Sequence, residues 1–301
     1  MLKRDISDLP KAVPVSLEPV RDNVIAERLA DNWFDKYLEE GNADKARAIP
    51  ELPYRASYAS KRCDRQLYYA LAGVPESEPL TPASAWTMGI GTMIHDAMQT
   101  VVEELWPDAE CEPTIDLTPI GIPGSGHADM VLTDDDGDRT LVELKTTGGF
   151  SFKMMATSFK GGAQGPRFSY VLQAAMMAKA LGIDKFIIAL LSLEPVSPQL
   201  AEAYASSESG RFAAEWHFNT ADFDDVLTAE ADRVQDILAA VTAQTPPARM
   251  LHDPEYPKGA VVINPVAARA PWTVTIDGNI TDTGTYWGCA YCSWRSQCNA
   301  D

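Results

Sequence analysis

Positive charge is scarce in this sequence. Among 301 residues, 25 lysines and arginines face 43 aspartates and glutamates, a formal net charge of −18 at pH 7. That balance excludes indiscriminate coating of duplex nucleic acid, although a local basic groove can survive in an acidic chain. Long apolar runs are missing too, so the 46% hydrophobic content fits a soluble chain that buries one large core, or one core with appendages, and no membrane partner. The opening segment MLKRDISDLPKAVPVSLEP lacks the apolar stretch of a secretory leader, and a cytoplasmic location is expected. No G-x-x-x-x-G-K-[ST] loop occurs, so the sequence carries no P-loop motor. Cysteine is sparse, five in all; without a leader, metal or cluster binding is favoured over disulfides.

What is present is a concentration of acid in residues 126–147, GHADMVLTDDDGDRTLVELKTT. Ala128 to Leu132 and Thr140 to Leu144 are apolar and β-rich, and the Asp-Asp-Asp-Gly-Asp between them is a turn signal, which predicts a β-hairpin. Side chains two apart share a strand face, so Glu143 and Lys145 emerge on one side while Val142 and Leu144 emerge on the other. Such a charged pair is either the solvated face of an edge strand or a chemical site. Asp129 weighs toward the second, because it interrupts the apolar run of the partner strand. Asp129 and Glu143 offer two hard oxygen ligands suited to Mg²⁺ or Mn²⁺, and a lysine beside them can orient or deprotonate a water. Asp134, Asp135, Asp136 and Asp138 miss the EF-hand pattern, since Gly137 stands too early and Lys145 falls where the closing glutamate is needed; they read as a solvated tip.

Along the chain, residues 22–40 predict an amphipathic helix closed by Gly41, and residues 57–72 a second, with Ser57 as cap and Gly73 as stop. Residues 82–106 read as helical and largely buried. Strands are expected near 111–119, 127–133 and 139–146, then a helix over 168–181, an apolar strand over 184–193, a strand over 211–218 and a helix over 221–242. The Pro-rich stretch 245–271 is a long connection to a cysteine-rich end. No repeat interrupts this order, which implies an α/β fold with a central mixed sheet.

The cysteines are not randomly spaced. GCAYCSWRSQC places Cys289, Cys292 and Cys298 in a C-x2-C-x5-C array. Three thiolates need a fourth ligand, and Cys63 in SYASKRCDRQLYYALAG is the best candidate, whereas Cys111 reads as a buried free thiol. Four cysteines can hold zinc or a 4Fe-4S cluster, and spacing does not choose between them. Unligated thiols are the alternative.

The ordered set Cys63, GIGTMIH ending in His95, GHAD with Asp129, VELKT with Glu143 and Lys145, Gln173 in YVLQAAMMAKALG, and the terminal three cysteines resembles the RecB-like branch of the PD-(D/E)xK nucleases. Within that branch it is most similar to the iron-sulfur exonucleases, which include CRISPR-associated RecB-like exonucleases and AddB-type nuclease domains. The resemblance spans residues 57–298 and implies a restriction-endonuclease-like core over 57–301, preceded by a helical arm over 1–56. It implies that His95, Asp129, Glu143 and the Leu144 carbonyl bind Mg²⁺ or Mn²⁺, that Lys145 positions the attacking water, and that Gln173 holds DNA or Lys145 in place. It also tips the four-cysteine site toward 4Fe-4S. Without it, His95 would read as a satisfied core histidine and Gln173 as a helix-surface amide. One departure stands out: the family usually carries a tyrosine four residues after the glutamine, where this sequence has Met177.

Between VELKT and Gln173 runs GGFSFKMMATSFKGGAQGPRFSY, in which Lys153, Lys160 and Arg167 alternate with Phe150, Phe152, Phe159, Phe168 and Tyr170. A basic-aromatic loop suits single-stranded DNA, whose bases stack while its phosphates meet cations; a lid with its aromatics packed inward is the alternative. Lys61, Arg62 and Arg65 form a second basic patch beside Cys63. The expected function is a metal-dependent DNA exonuclease acting on single strands or DNA ends, in recombination, repair or CRISPR-like processing, with a helicase or recombination partner opening duplexes. The alternatives are a DNA-binding recombination subunit that cuts weakly or not at all, and a zinc-bearing site-specific endonuclease.

Overall fold

The computed structural model describes residues 53–78, 80–156, 165–197, 211–248, 260–261, 272–273 and 292–300. Strand β1 (Tyr54–Arg55) leads through a 3-10 turn, Ala56–Ser60, into helix α1 (Asp64–Leu71). Helix α2 (Pro82–Leu105) follows, then strands β2 (Glu110–Cys111), β3 (Thr114–Asp116) and β4 (Gly124–His127). The hairpin β5 (Met130–Thr133) and β6 (Arg139–Thr147) precedes helices α3 (Gly149–Ala156) and α4 (Phe168–Ala180). Strands β7 (Lys185–Ser192) and β8 (Ala213–Asn219), helix α5 (Asp224–Thr242), the short pair β9 (Ala260–Val261) and β10 (Trp272–Thr273), and helix α6 (Arg295–Ala300) complete the order.

The main sheet runs β2-β5-β6-β7-β8. Strands β6 and β7 are parallel and every other neighbouring pair is antiparallel, so this is the central mixed sheet expected of an α/β chain. β6 lies in its middle, which excludes the edge-strand alternative for Glu143 and Lys145. The hairpin pairs Met130 with Val142 and Thr133 with Arg139. Its exposed tip is tied by Asp134 Oδ1, which accepts from the backbone amides of Asp136 and Asp138, while Gly137 supplies the left-handed turn residue at φ 86°.

A second sheet, β1-β4-β3, packs beside α4. Tyr54 pairs with Gly124 so closely that a Cβ on Gly124 would stand 2.6 Å from the Tyr54 carbonyl oxygen. Helix α4 is buried along almost its whole length, from Val171 to Ala178. Its alanines let it settle against the sheets, and Met177 fills the space left by Gly126, where a Cβ would lie 2.8 Å from the Met177 sulfur.

Several elements differ from the sequence reading. The expected helix 57–72 is broken: Ser57 sits inside the 3-10 turn, and Cys63 is extended (φ −85°, ψ 122°) as the N-cap of α1. Within the break, Arg62 meets Glu230 at 2.8 Å. Gly73 does end that region in a left-handed conformation, at φ 66°. The strand expected over 111–119 splits into β2 and β3 about Glu112, itself left-handed at φ 47°, and the strand over 127–133 breaks at Ala128 and Asp129 between β4 and β5.

Helix α2 forms as read, with Thr81 accepting from the Ser84 amide and Pro82 opening the first turn. It is not largely buried, however. Only Ala85, Gly89 and Val102 are covered, and Met88, Met93, Val101 and Leu105 are exposed. The helix meets the sheet where Gly91 approaches Thr146 and where Val102 packs with Met130 and Val142. Cys111 is only half-buried, because β2 is a two-residue edge strand. Residues 22–40 with Gly41, and most of 245–271, lie outside the described residues, as does the arm up to residue 52. Among the described residues no helix is long and apolar enough to cross a membrane.

Candidate active site

Three elements converge on one point of the main sheet. β6 presents Glu143 and Lys145 from the same face, as strand alternation requires; the joint between β4 and β5 presents Asp129; α2 presents His95. Glu143 is 1% exposed. Its Oε1 accepts from Lys145 Nζ at 2.5 Å and from Gln173 Nε2 at 2.7 Å. Its Oε2 is buried and has no hydrogen-bond partner among the described residues. Asp129 is fully engaged: Oδ2 accepts from the Leu144 amide at 2.6 Å, and Oδ1 lies 3.1 Å from His95 Nδ1. The structure thus gathers His95, Asp129, Glu143, Leu144, Lys145 and Gln173, with Gln173 bonded to Glu143 rather than to Lys145.

Burial dominates the electrostatics. It pushes the Glu143 carboxyl up to about 7, Lys145 opposing the rise and Asp129 adding to it. Burial alone would lower Lys145, but the carboxylates of Glu143 and Asp129 more than reverse this and raise it. His95 is raised mainly by its hydrogen bond to Asp129, against the pull of burial. A buried carboxylate with one unpartnered oxygen is costly by itself, and a divalent cation would relieve that cost. Asp129 and Glu143 form the hard-oxygen donor set that Mg²⁺ or Mn²⁺ prefers, so the residues present fit such an ion. Among the described residues, no three His, Cys, Asp or Glu side chains already form a metal cage. His95 meets Asp129 through Nδ1, a contact that leaves its other ring nitrogen, Nε2, available as a ligand.

Met177, at the position where the resemblance implies a tyrosine, is wholly buried against Gly126 and does not reach the site. Tyr170, one turn before Gln173 on α4, does: its ring centroid is 5.5 Å from Lys145 Nζ and 5.7 Å from the Arg167 guanidinium carbon.

The remaining candidate contacts sort unevenly. Phe152 is wholly buried with Met155, Leu190 and Val196, so it is a core residue and no stacking platform. Phe150 is exposed and Lys153 half-buried on α3, while Arg167 is exposed at the start of α4. Lys160 and Phe159 lie outside the described residues. Arg62 is committed to Glu230 and lies 5.8 Å from the Phe168 ring, and Arg65 Nε donates to the Pro247 carbonyl at 2.8 Å. Both arginines therefore hold the fold together first.

That role exposes residues the sequence reading missed. Glu230 is 3% exposed and takes Arg62 Nη1 at 2.8 Å, Arg233 Nη1 at 2.9 Å and the Tyr54 hydroxyl at 3.3 Å. Arg233 also reaches Asp64 and the Lys61 carbonyl. The network fastens the segment around Cys63 to α5. A signal existed: Glu230 falls in the stripe Leu227, Val234, Ile237, where only apolar residues would be expected.

Cys63 and the C-terminal segment meet at this end of the fold. Trp294 Nε1 donates to the Val74 carbonyl at 2.9 Å, and the Ser77 and Glu78 amides donate to the Ser293 carbonyl at 2.8 and 3.0 Å. Glu78 in turn accepts from the Ser296 amide and hydroxyl. Cys292 and Cys298 pack against the main core. Burial raises the Cys292 thiol, against the hydrogen bond from the Trp294 backbone and the nearby Lys61, which lower it. Among the described residues, Cys63, Cys292 and Cys298 do not form a group that could hold a metal ion. Cys289 lies outside the described residues.

No known protein family and no curated protein matches the chain. Among solved structures, it is similar to the crystal structure of SSO0001 (16% identity, 91% of this chain and 97% of that one, TM-score 0.46). It is also similar to an alkaline exonuclease, LHK-Exo, from Laribacter hongkongensis (15% identity, 71% and 93%, TM-score 0.42), and to LHK-Exo in complex with dAMP (18% identity, 65% and 90%, TM-score 0.43).

Proposed function

We propose that the chain is a metal-dependent deoxyribonuclease that hydrolyses phosphodiester bonds at the Asp129, Glu143 and Lys145 site, as an exonuclease on single-stranded DNA or DNA ends. The observation that carries this reading is the state of Glu143. One oxygen is pinned by Lys145 and Gln173, and the other is buried without a partner beside Asp129 and His95. A purely structural carboxylate would have both oxygens satisfied. Mg²⁺ or Mn²⁺ would be held by His95, Asp129, Glu143 and the Leu144 carbonyl and would supply charge neutralisation and an acidified water. Lys145, cationic and confined, orients the attacking water and steadies charge gathering on the phosphate. Gln173 fixes the Glu143 rotamer, and His95 does the same for Asp129.

The thiols of Cys63, Cys289, Cys292 and Cys298 hold a 4Fe-4S cluster in this proposal, with Zn²⁺ as the competing occupant. All ligands come from cysteine, so the role is structural. No P-loop serves the chain, so duplex opening falls to a separate helicase or recombination partner. The test is digestion of end-labelled single-stranded and duplex DNA with Mn²⁺, Mg²⁺ and EDTA. Metal-dependent release of nucleotides from an end is the expected result. DNA binding with no cutting under any metal would leave the recombination-subunit reading instead.

A further inference from the structure

Lys145 carries a flexible four-carbon stem, and a point charge on such a stem is poorly located by one contact. Glu143 Oε1 supplies one contact at 2.5 Å. The Tyr170 ring supplies a second from α4, its centroid 5.5 Å from Nζ, within the range where an aromatic face attracts a cation. Tyr170 and Gln173 stand three residues apart on α4 and so share a helix face. One helix therefore holds both members of the Glu143–Lys145 pair, Gln173 gripping the carboxylate and Tyr170 the ammonium. The same ring carries Arg167, 5.7 Å away, which is exposed and makes no ion pair among the described residues. Two cations beside one ring repel each other, and a substrate phosphate arriving between them would relieve that repulsion.

We infer that Tyr170 is a positioning residue for Lys145, holding its ammonium in place through the ring face; the inference rests on the nuclease reading above. The full chain and its Tyr170→Phe and Tyr170→Leu variants are compared on an end-labelled single-stranded oligonucleotide with Mn²⁺. Affinity for the uncut oligonucleotide is measured in EDTA by fluorescence anisotropy, and folding by circular dichroism and thermal melting. Tyr170→Leu is expected to lower kcat about tenfold, the size of one cation–π contact in a desolvated site, with KM and affinity within about twofold of wild type. Tyr170→Phe, which keeps the ring, restores wild-type kcat. If Tyr170→Leu misfolds, Tyr170→Met takes its place. Three results overturn the inference alone: unchanged kcat in Tyr170→Leu, a loss confined to KM and affinity, which would make the ring a base-stacking platform, or a Phe variant as slow as the Leu variant. A wild-type chain that cuts under none of the metals tested would overturn the nuclease reading and this inference together.

Discussion

Gln173 and Glu143 are joined from helix to strand: the Gln173 side-chain amide donates to Glu143 Oε1 at 2.7 Å, from α4 onto the central strand β6. The bond leaves the other carboxylate oxygen in place but unpartnered. Roles within the site are therefore ranked. Glu143→Ala or Lys145→Ala should lower metal-dependent cutting by about 10²- to 10³-fold or more, because each acts on the charge of the reacting group. Gln173→Ala, which only releases a rotamer, should cost about 10- to 100-fold. Single-turnover rates of the three variants, each with wild-type circular dichroism, check this order; undiminished cleavage by both Glu143→Ala and Lys145→Ala would sink the site assignment.

Much of that site was legible because strand chemistry is local. Alternation across Leu141 to Lys145 and the Asp-Gly turn before it fixed the hairpin and put Glu143 and Lys145 on one face, as the structure shows. Less legible were features decided by distant partners. Nothing near Ser57 to Leu71 announces that the helix breaks before Cys63 or that Arg62 beside the break meets the distant Glu230 on α5. The apolar content of α2 read as burial, yet only Ala85, Gly89 and Val102 are buried, and Trp86, Met88, Met93, Val101 and Leu105 stay exposed. Phe152 looked like a DNA contact by composition and is core by packing against Leu190.

The pH dependence follows from Glu143. Its carboxyl is raised from an ordinary 4.5 to about 7 in the folded chain. Between those values the folded state holds a proton that the unfolded state has released, so stability without metal falls as pH rises from about 4.5 to about 7. A divalent cation requires the ionised carboxylate, so its affinity rises over the same window. Urea unfolding of metal-free protein at pH 5 and pH 7.5, with Glu143→Gln as reference, should show a wild-type loss that the variant lacks. Parallel behaviour of the two proteins would mean that Glu143 does not titrate there.

Glu230 should be worth far more to stability than a helix-surface glutamate. It is buried between Arg62 and Arg233 and accepts from Tyr54. Removing one partner of a buried ionic network strands the others, so Glu230→Ala should cost about 3–5 kcal/mol. The exposed Glu215 on β8, which pairs with His217, should cost less than about 1 kcal/mol when replaced. Denaturant unfolding of both variants makes the comparison, and equal losses would show that the network contributes little.

The cysteine site makes the last distinction. Cys63 caps α1, and the segment from Cys292 to Cys298 is docked on the loop after that helix through Trp294, Ser293 and Ser296. A cluster spanning Cys63, Cys289, Cys292 and Cys298 would clamp chain ends that hydrogen bonds alone already bring together, and its binding energy would become folding energy. Cys63→Ala should then yield a protein that melts well below wild type and retains little metal. Cys111→Ala should behave as wild type, because Cys111 is half-buried on a two-residue edge strand away from the other thiols. Purified without oxygen, the wild-type chain should be brown, with broad absorption at about 400 nm from thiolate-to-iron charge transfer. Equal iron in wild type and Cys63→Ala would refute the pairing of the two ends. A colourless anaerobic preparation with stoichiometric zinc would replace iron by zinc at the same four thiols, and Asp129, Glu143 and Lys145 would stand as before, since no thiol belongs to their site.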